Sequence, residues 1–142
     1  MRLPAAAAAV AERGIRVYAI AAADRTIDLE AAYFVPDPLM IQALQAARHR
    51  GVRVRVIVPG KHIDSDTVRL ASKAHWGELL LAGVEIYEYQ PTMMHTKSLV
   101  VDGVWSMFGS ANFDNRSLEL NDELNVAVAS PSTPATSTNR GR

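Results

Sequence analysis

Apolar and polar residues change their period several times along the chain, and the changes outline its elements. In "TIDLEAAYF", residues 26–34, apolar side chains alternate with polar ones and the run ends in aromatics, the pattern of a strand with one buried face. "PDPLMIQALQAARHRG" follows with a helical period. Met40, Ile41, Leu44 and Ala47 share one face, Asp37 is placed as N-cap, Pro38 takes the first helical position and Gly51 ends the run. The period returns to two in "VRVRVIVP", 52–59. Strand, helix and strand within about thirty residues predict a βαβ unit, a parallel pair joined by a right-handed crossover.

The same reading extends to both sides. "IRVYAIAAAD", 15–24, predicts a short helix, and a second long helix is expected from Thr67 to Ala82, closed by Gly83. "VEIYEY", 84–89, is a third strand. "HTKSLVV" and "VWSMFG" flank Asp102-Gly103, a two-residue hairpin signal, and a last strand runs from about Glu123 to Ala129. The fold class is therefore α/β, a mixed sheet flanked by helices, occupying residues 15–129. Residues 1–14 form an alanine-rich N-terminal extension, and 130–142, "SPSTPATSTNRGR", read as a disordered Ser/Thr/Pro tail. The apolar run "LPAAAAAVA" is too short to span a bilayer and is read as an upstream helix or linker rather than a signal peptide.

Fifteen basic and fifteen acidic residues cancel with no long run of one sign, so overall charge gives no reason to expect a nucleic-acid or anionic-membrane partner, though it leaves room for a local anion site. The absence of cysteine excludes thiolate nucleophiles, disulfides and Cys-based zinc sites.

One short stretch carries chemistry. In "HTKSLVVDG", 95–103, a histidine and a lysine interrupt a strand pattern two places apart, so His95 and Lys97 are expected on one face. The hairpin's second arm ends at Gly109 and leads into "SANFDNRS", which returns Ser110 and Asn112 to the neighbourhood of His95 and Lys97. A glycine there lets a ligand or another backbone come close. An imidazole, an ammonium, a hydroxyl and an amide suit a tetrahedral oxyanion: Lys97 and Asn112 donate to its non-bridging oxygens, and His95 attacks or transfers a proton. The lysine would repel a cation and no second ligand sits at metal spacing, so neither metal nor cofactor is expected.

"HTKSLVVD" matches the HxKxxxxD signature of the phospholipase D superfamily, and "GSANFDNRS" resembles its companion segment; together they mark a phosphodiesterase segment at about 89–118. "AYFVPD", "RGVRVRVIVPG", "LLLAGVEIYEYQPTMMH" and "NFDNRSLELNDELNV" resemble the C-terminal half of bacterial cardiolipin synthases. The resemblance implies a phosphatidyltransferase that works through a phosphohistidine. His95 is the site histidine, Lys97 and Asn112 hold phosphate beside Ser110, and Glu123 of "NDELN" orients the ring. Asp102 completes the motif; by alternation it faces away from His95 and Lys97 and is expected to fix the turn.

The family's site needs two such motifs and this sequence holds one, since His49, His62 and His75 have no lysine two residues on. Two arrangements stay open. Either two copies pair across a two-fold axis, or the chain is half of a longer enzyme completed by a neighbouring chain. The implied substrate is an anionic phospholipid of the phosphatidylglycerol type. The implied location is cytoplasmic and peripheral at the inner face of the membrane, with no transmembrane segment in this chain. The alternatives are a homodimeric single-motif phosphodiesterase, of phospholipase D or nuclease type, and an inactive fragment or interaction module. Among the remaining residues, Arg53 and Arg55 are read as a solvated strand face, Arg116 as a loop brace, Trp76, Tyr87 and Tyr89 as core or dimer surface, and Met93 and Met94 as gap-fillers.

Overall fold

The computed structural model describes residues 12–61, 66–110 and 125–130. Four helices and six strands follow in the order α1 (Glu12–Ala21), β1 (Thr26–Glu30), α2 (Pro38–His49), β2 (Arg53–Pro59), α3 (Asp66–Ala74), α4 (Trp76–Ala82), β3 (Glu85–Tyr89), β4 (Ser98–Val101), β5 (Trp105–Gly109) and β6 (Asn125–Ala129). They build one mixed sheet of order β3-β2-β1-β4-β5-β6. β1, β2 and β3 are parallel, and β4, β5 and β6 add on in antiparallel fashion.

Alternation along the strands decides which face is covered. Ile27, Leu29, Val54, Val56, Val58, Leu99, Val101, Trp105 and Met107 point to one side and are buried there with α1, α2 and Leu79 of α4. Asp28, Glu30, Arg55, Tyr87, Ser98, Val100 and Phe108 lie on the other side, at most half-buried. Each described helix packs on the first face.

α2 forms as its sequence predicts. Asp37 accepts a hydrogen bond from the Met40 N–H at 2.8 Å, and Met40, Ile41, Leu44 and Ala47 are its buried residues. Its end is closed by Gly51 at φ 86°, where the Gly51 N–H reaches the Arg48 carbonyl and the Val52 N–H reaches that of Ala47, both at 3.0 Å. Only a residue without Cβ takes that left-handed turn at no steric cost.

Several boundaries differ from the sequence reading. β1 stops at Glu30; beyond it the Ala31 N–H still bonds to the Ile57 carbonyl and Phe34 forms an isolated bridge, with Ala31, Ala32 and Phe34 buried in the core. The expected helix 67–82 is two helices. The His75 N–H bonds to the Ser72 carbonyl, three residues back, and the Trp76 indole N–H to Ser72 Oγ; this tightens the chain and redirects it. α1 ends at Ala21, three residues short of the expected Asp24, since the Asp24 and Arg25 amides are engaged elsewhere. The hairpin loop holds three residues, Asp102 to Val104, with the left-handed pair Asp102 (φ 54°) and Gly103 (φ 68°) at its start. None of the described helices is long and apolar enough to cross a membrane.

Candidate active site

The three parallel strands point their C-terminal ends the same way, and open α/β sheets gather ligands along such an edge. Glu30 closes β1 there and Tyr89 closes β3. The chain then crosses the edge in an irregular segment, 90–97, before β4 begins at Ser98. His95 and Lys97 therefore stand just ahead of the strand and not on it, which corrects the sequence reading. Eight residues outside the ladder let the segment lie over the strand ends and carry an exposed His95.

The two side chains meet. Lys97 Nζ lies 2.9 Å from His95 Nδ1 and donates at 2.9 Å to the His95 carbonyl. With Nδ1 accepting from an ammonium, a neutral imidazole carries its proton on Nε2. The Tyr33 ring, from the segment after β1, meets the imidazole edge-on with centroids 6.4 Å apart and planes at 81°. Across the hairpin, the Gly109 N–H reaches the Lys97 carbonyl at 3.4 Å, so Ser110 emerges beside Lys97. Asn112 and Glu123 lie outside the described residues, as do His62 and Arg116.

A cavity of about 380 Å³ opens beside His95. Ile57, Tyr89, Met93 and Met94 give it apolar walls, and Glu30, Thr92 and Thr96 add oxygen atoms. Glu30 accepts a hydrogen bond from Ser98 Oγ at 3.2 Å, which ties the end of β1 to the start of β4. Met93 is half exposed and fills no gap in the core. Tyr87 and Tyr89 are also on the open face, whereas Trp76 packs against the core. A second hollow of about 350 Å³ continues along that face through Glu30 and Ile57 to Asp28, Arg55 and Val100.

The two strand arginines do not face an open anion site. Arg53 is bound to Glu85 at 2.7 Å and Arg55 to Asp28. The Arg53 hydrogen bond, helped by that of Tyr87, holds the Glu85 carboxyl down at about 2. Among the described residues no three His, Asp or Glu side chains are grouped to hold a metal ion.

Asp102, the last member of the motif, stands at the far end of β4. Five residue steps at roughly 3.3 Å each put it on the order of 16 Å from Lys97. Its carboxylate is buried and accepts the backbone N–H groups of Asp24 (3.0 Å), Arg25 (2.7 Å) and Thr26 (3.0 Å). Burial alone would raise its pKa; the three amide donors outweigh it and hold the carboxyl below its ordinary value. The residue binds the hairpin turn to the α1–β1 connection and touches neither His95 nor Lys97.

Glu30, Tyr33, Thr92 and Thr96 at the site were not singled out from sequence, and Tyr89, read as core or dimer surface, lines the cavity. The one signal available for Glu30 was its position at the C-terminal end of a parallel strand. For Tyr33, 62 residues before His95, periodicity carried no signal.

Comparison with known proteins agrees with this fold. The model of a family described as "Cardiolipin synthase, PLD-like domain" matches residues 9–139. Cardiolipin synthase A of Erwinia tasmaniensis is 44% identical over 110 residues, 78% of this chain and 22% of the relative. The probable cardiolipin synthase YwiE of Bacillus subtilis is 45% identical over 107 residues, 75% of this chain and 21% of the relative. The chain thus spans about a fifth of the length of these curated relatives. Among solved structures, Nuc of Salmonella typhimurium, a phospholipase D family member, superposes with TM-score 0.72 at 27% identity, covering 83% of this chain and 75% of that one.

Proposed function

Since the chain belongs to the family of cardiolipin synthase, phospholipase D-like domains, we propose that it supplies one catalytic half of a phosphatidyltransferase in which His95 becomes phosphorylated. The observation that carries this reading is the 2.9 Å contact of Lys97 Nζ with His95 Nδ1 at the mouth of the open cavity. An ammonium held there is positioned to neutralise a phosphodiester as the imidazole reaches its phosphorus.

The steps follow from that pair. An incoming phosphate competes with the imidazole for the lysine. As Lys97 turns to the phosphate oxygens, joined by Ser110 and Asn112, Nδ1 is released to hold a proton toward Glu123, and Nε2 presents its lone pair. Nε2 forms the N–P bond while the P–O bond to the leaving alcohol breaks, and that alcohol takes a proton from the histidine of a second HxKxxxxD half. An acceptor alcohol then returns its proton to that second histidine and attacks phosphorus, and the N–P bond breaks. The second half comes from another copy or a neighbouring chain. Glu30 beside His95 disfavours a second anion and accepts hydrogen bonds from hydroxyls, which fits a glycerol headgroup in the polar part of the cavity; Met93, Met94 and Ile57 suit the start of acyl chains. The chain works peripherally at the cytoplasmic face of a membrane.

The test uses phosphatidylglycerol vesicles with the chain alone and with a partner half. Cardiolipin formation that survives a chelator and disappears in His95→Ala supports the reading; formation that survives in His95→Ala ends it. One observation favours a second reading, a homodimeric phosphodiesterase: the superposition on Nuc covers most of a chain of comparable length. Sedimentation as a strict monomer removes that alternative.

A further inference from the structure

We propose that Tyr33 is a further positioning residue for the His95 imidazole, a side chain that holds the ring plane so that Nε2 stays aimed at phosphorus through the attack; this rests on the reading of His95 as nucleophile. The need for such a residue is visible in the backbone. His95 sits in the irregular 90–97 segment, exposed, with no strand ladder to fix its ring. The Lys97 contact at Nδ1 restrains the imidazole at one atom and leaves it free to turn about the N···N line. It is also the contact that substrate withdraws. The Tyr33 contact constrains the ring plane, with the two rings 6.4 Å apart at 81°, inside the range where edge-to-face pairs attract.

Tyr33 is built to be a fixed wall. Its neighbours Ala32 and Phe34 are each 1% exposed, locked into the core on either side of it. Two residues earlier, the Ala31 N–H bonds to the Ile57 carbonyl at 3.1 Å, and four residues later Asp37 caps α2. The ring is therefore carried by a short segment anchored at both ends to the sheet and a helix.

The experiment compares Tyr33→Phe, which keeps a ring, with Tyr33→Leu and Tyr33→Met, which remove it; circular dichroism selects the folded non-aromatic variant. Two readouts are followed in the full chain. In NMR, the carbon-bound ring protons of His95 are expected to keep their shifts in Tyr33→Phe and to move in the variant without a ring. In pre-steady-state kinetics with bis(p-nitrophenyl) phosphate, the burst rate is expected to fall about three- to ten-fold in the latter, the equivalent of one aromatic pair, with KM unchanged and Tyr33→Phe near the parent. Identical His95 resonances in all variants, or a Tyr33→Phe protein as slow as the ringless one, would overturn the proposal. Failure of the underlying reading looks different: His95→Ala would retain the burst while the Tyr33 variants still shifted the His95 resonances.

Discussion

The two ends of β4 differ in almost every physical respect, although one eight-residue motif covers both. At its N-terminal end His95 is exposed, lies outside the sheet ladder and meets the side chains of Lys97 and Tyr33. At its C-terminal end Asp102 is buried and accepts three successive backbone amides from the α1–β1 connection. The difference teaches that the spacing of the motif is the length of a strand. One end presents reactive groups above the sheet, and the other binds that strand's turn to the neighbouring connection. Loss of the first end is expected to remove activity and spare stability, and loss of the second to do the reverse.

The largest expected effect is on the exposed end. His95→Ala is expected to lower phosphodiester turnover by at least about a thousand-fold, since no other group in the mechanism supplies the nucleophile. Its urea midpoint is expected to stay within error of the parent. Lys97→Ala should follow, with a loss of roughly a hundred-fold from removal of one charge-assisted donor to the phosphate. A mutant that lost its fold along with its activity would break the comparison.

The buried end gives the next effects, read in stability. Asp102→Ala leaves three amide donors without their acceptor, and a loss of about 2–3 kcal/mol is expected from urea denaturation. The sign of its pH dependence follows from the lowered carboxyl. The contribution is complete above the unfolded value of about 3.9 and fades as pH falls through the lower folded value. The gap between parent and Asp102→Ala should therefore stay constant at neutral pH and narrow only in acid. Gly103→Ala is smaller, about 1–2 kcal/mol, because the added Cβ meets nothing within 4 Å and the cost is that of a positive φ alone.

The smallest effect belongs to Arg53→Ala. Its ion pair with Glu85 is solvent-facing, and exposed pairs add little. No measurable change in thermal midpoint is expected at neutral pH in moderate salt.

Residues with a local cause were legible in the sequence. α2 was fixed by its cap, its proline, its apolar stripe and its closing glycine, all within one stretch. The antiparallel hairpin followed from Asp102-Gly103, although its loop takes one residue more than the dipeptide implied. What failed had a tertiary cause. β1 ends at Glu30 while Ala31, Ala32 and Phe34 beyond it are buried in the core, and the helix after residue 66 breaks where Ser72 collects two donors. At the site, the pairing of His95 with Lys97 could be inferred from their separation, but the irregular segment carrying them could not. Tyr33 meets His95, and Glu30 lines the same cavity, only because β1 and β4 are neighbours, and Asp102 binds backbone amides, which leave no mark on residue identity.

The most direct test of the central claim isolates the attack of His95 from the need for a second half. A p-nitrophenolate leaving group departs without being protonated, so the chain mixed with bis(p-nitrophenyl) phosphate requires only its own nucleophile. The account predicts a burst of p-nitrophenolate and, after quenching, an acid-labile phosphoryl adduct that mass spectrometry places on His95, with neither in His95→Ala. No burst from the parent chain, or an equal burst from His95→Ala, would contradict it.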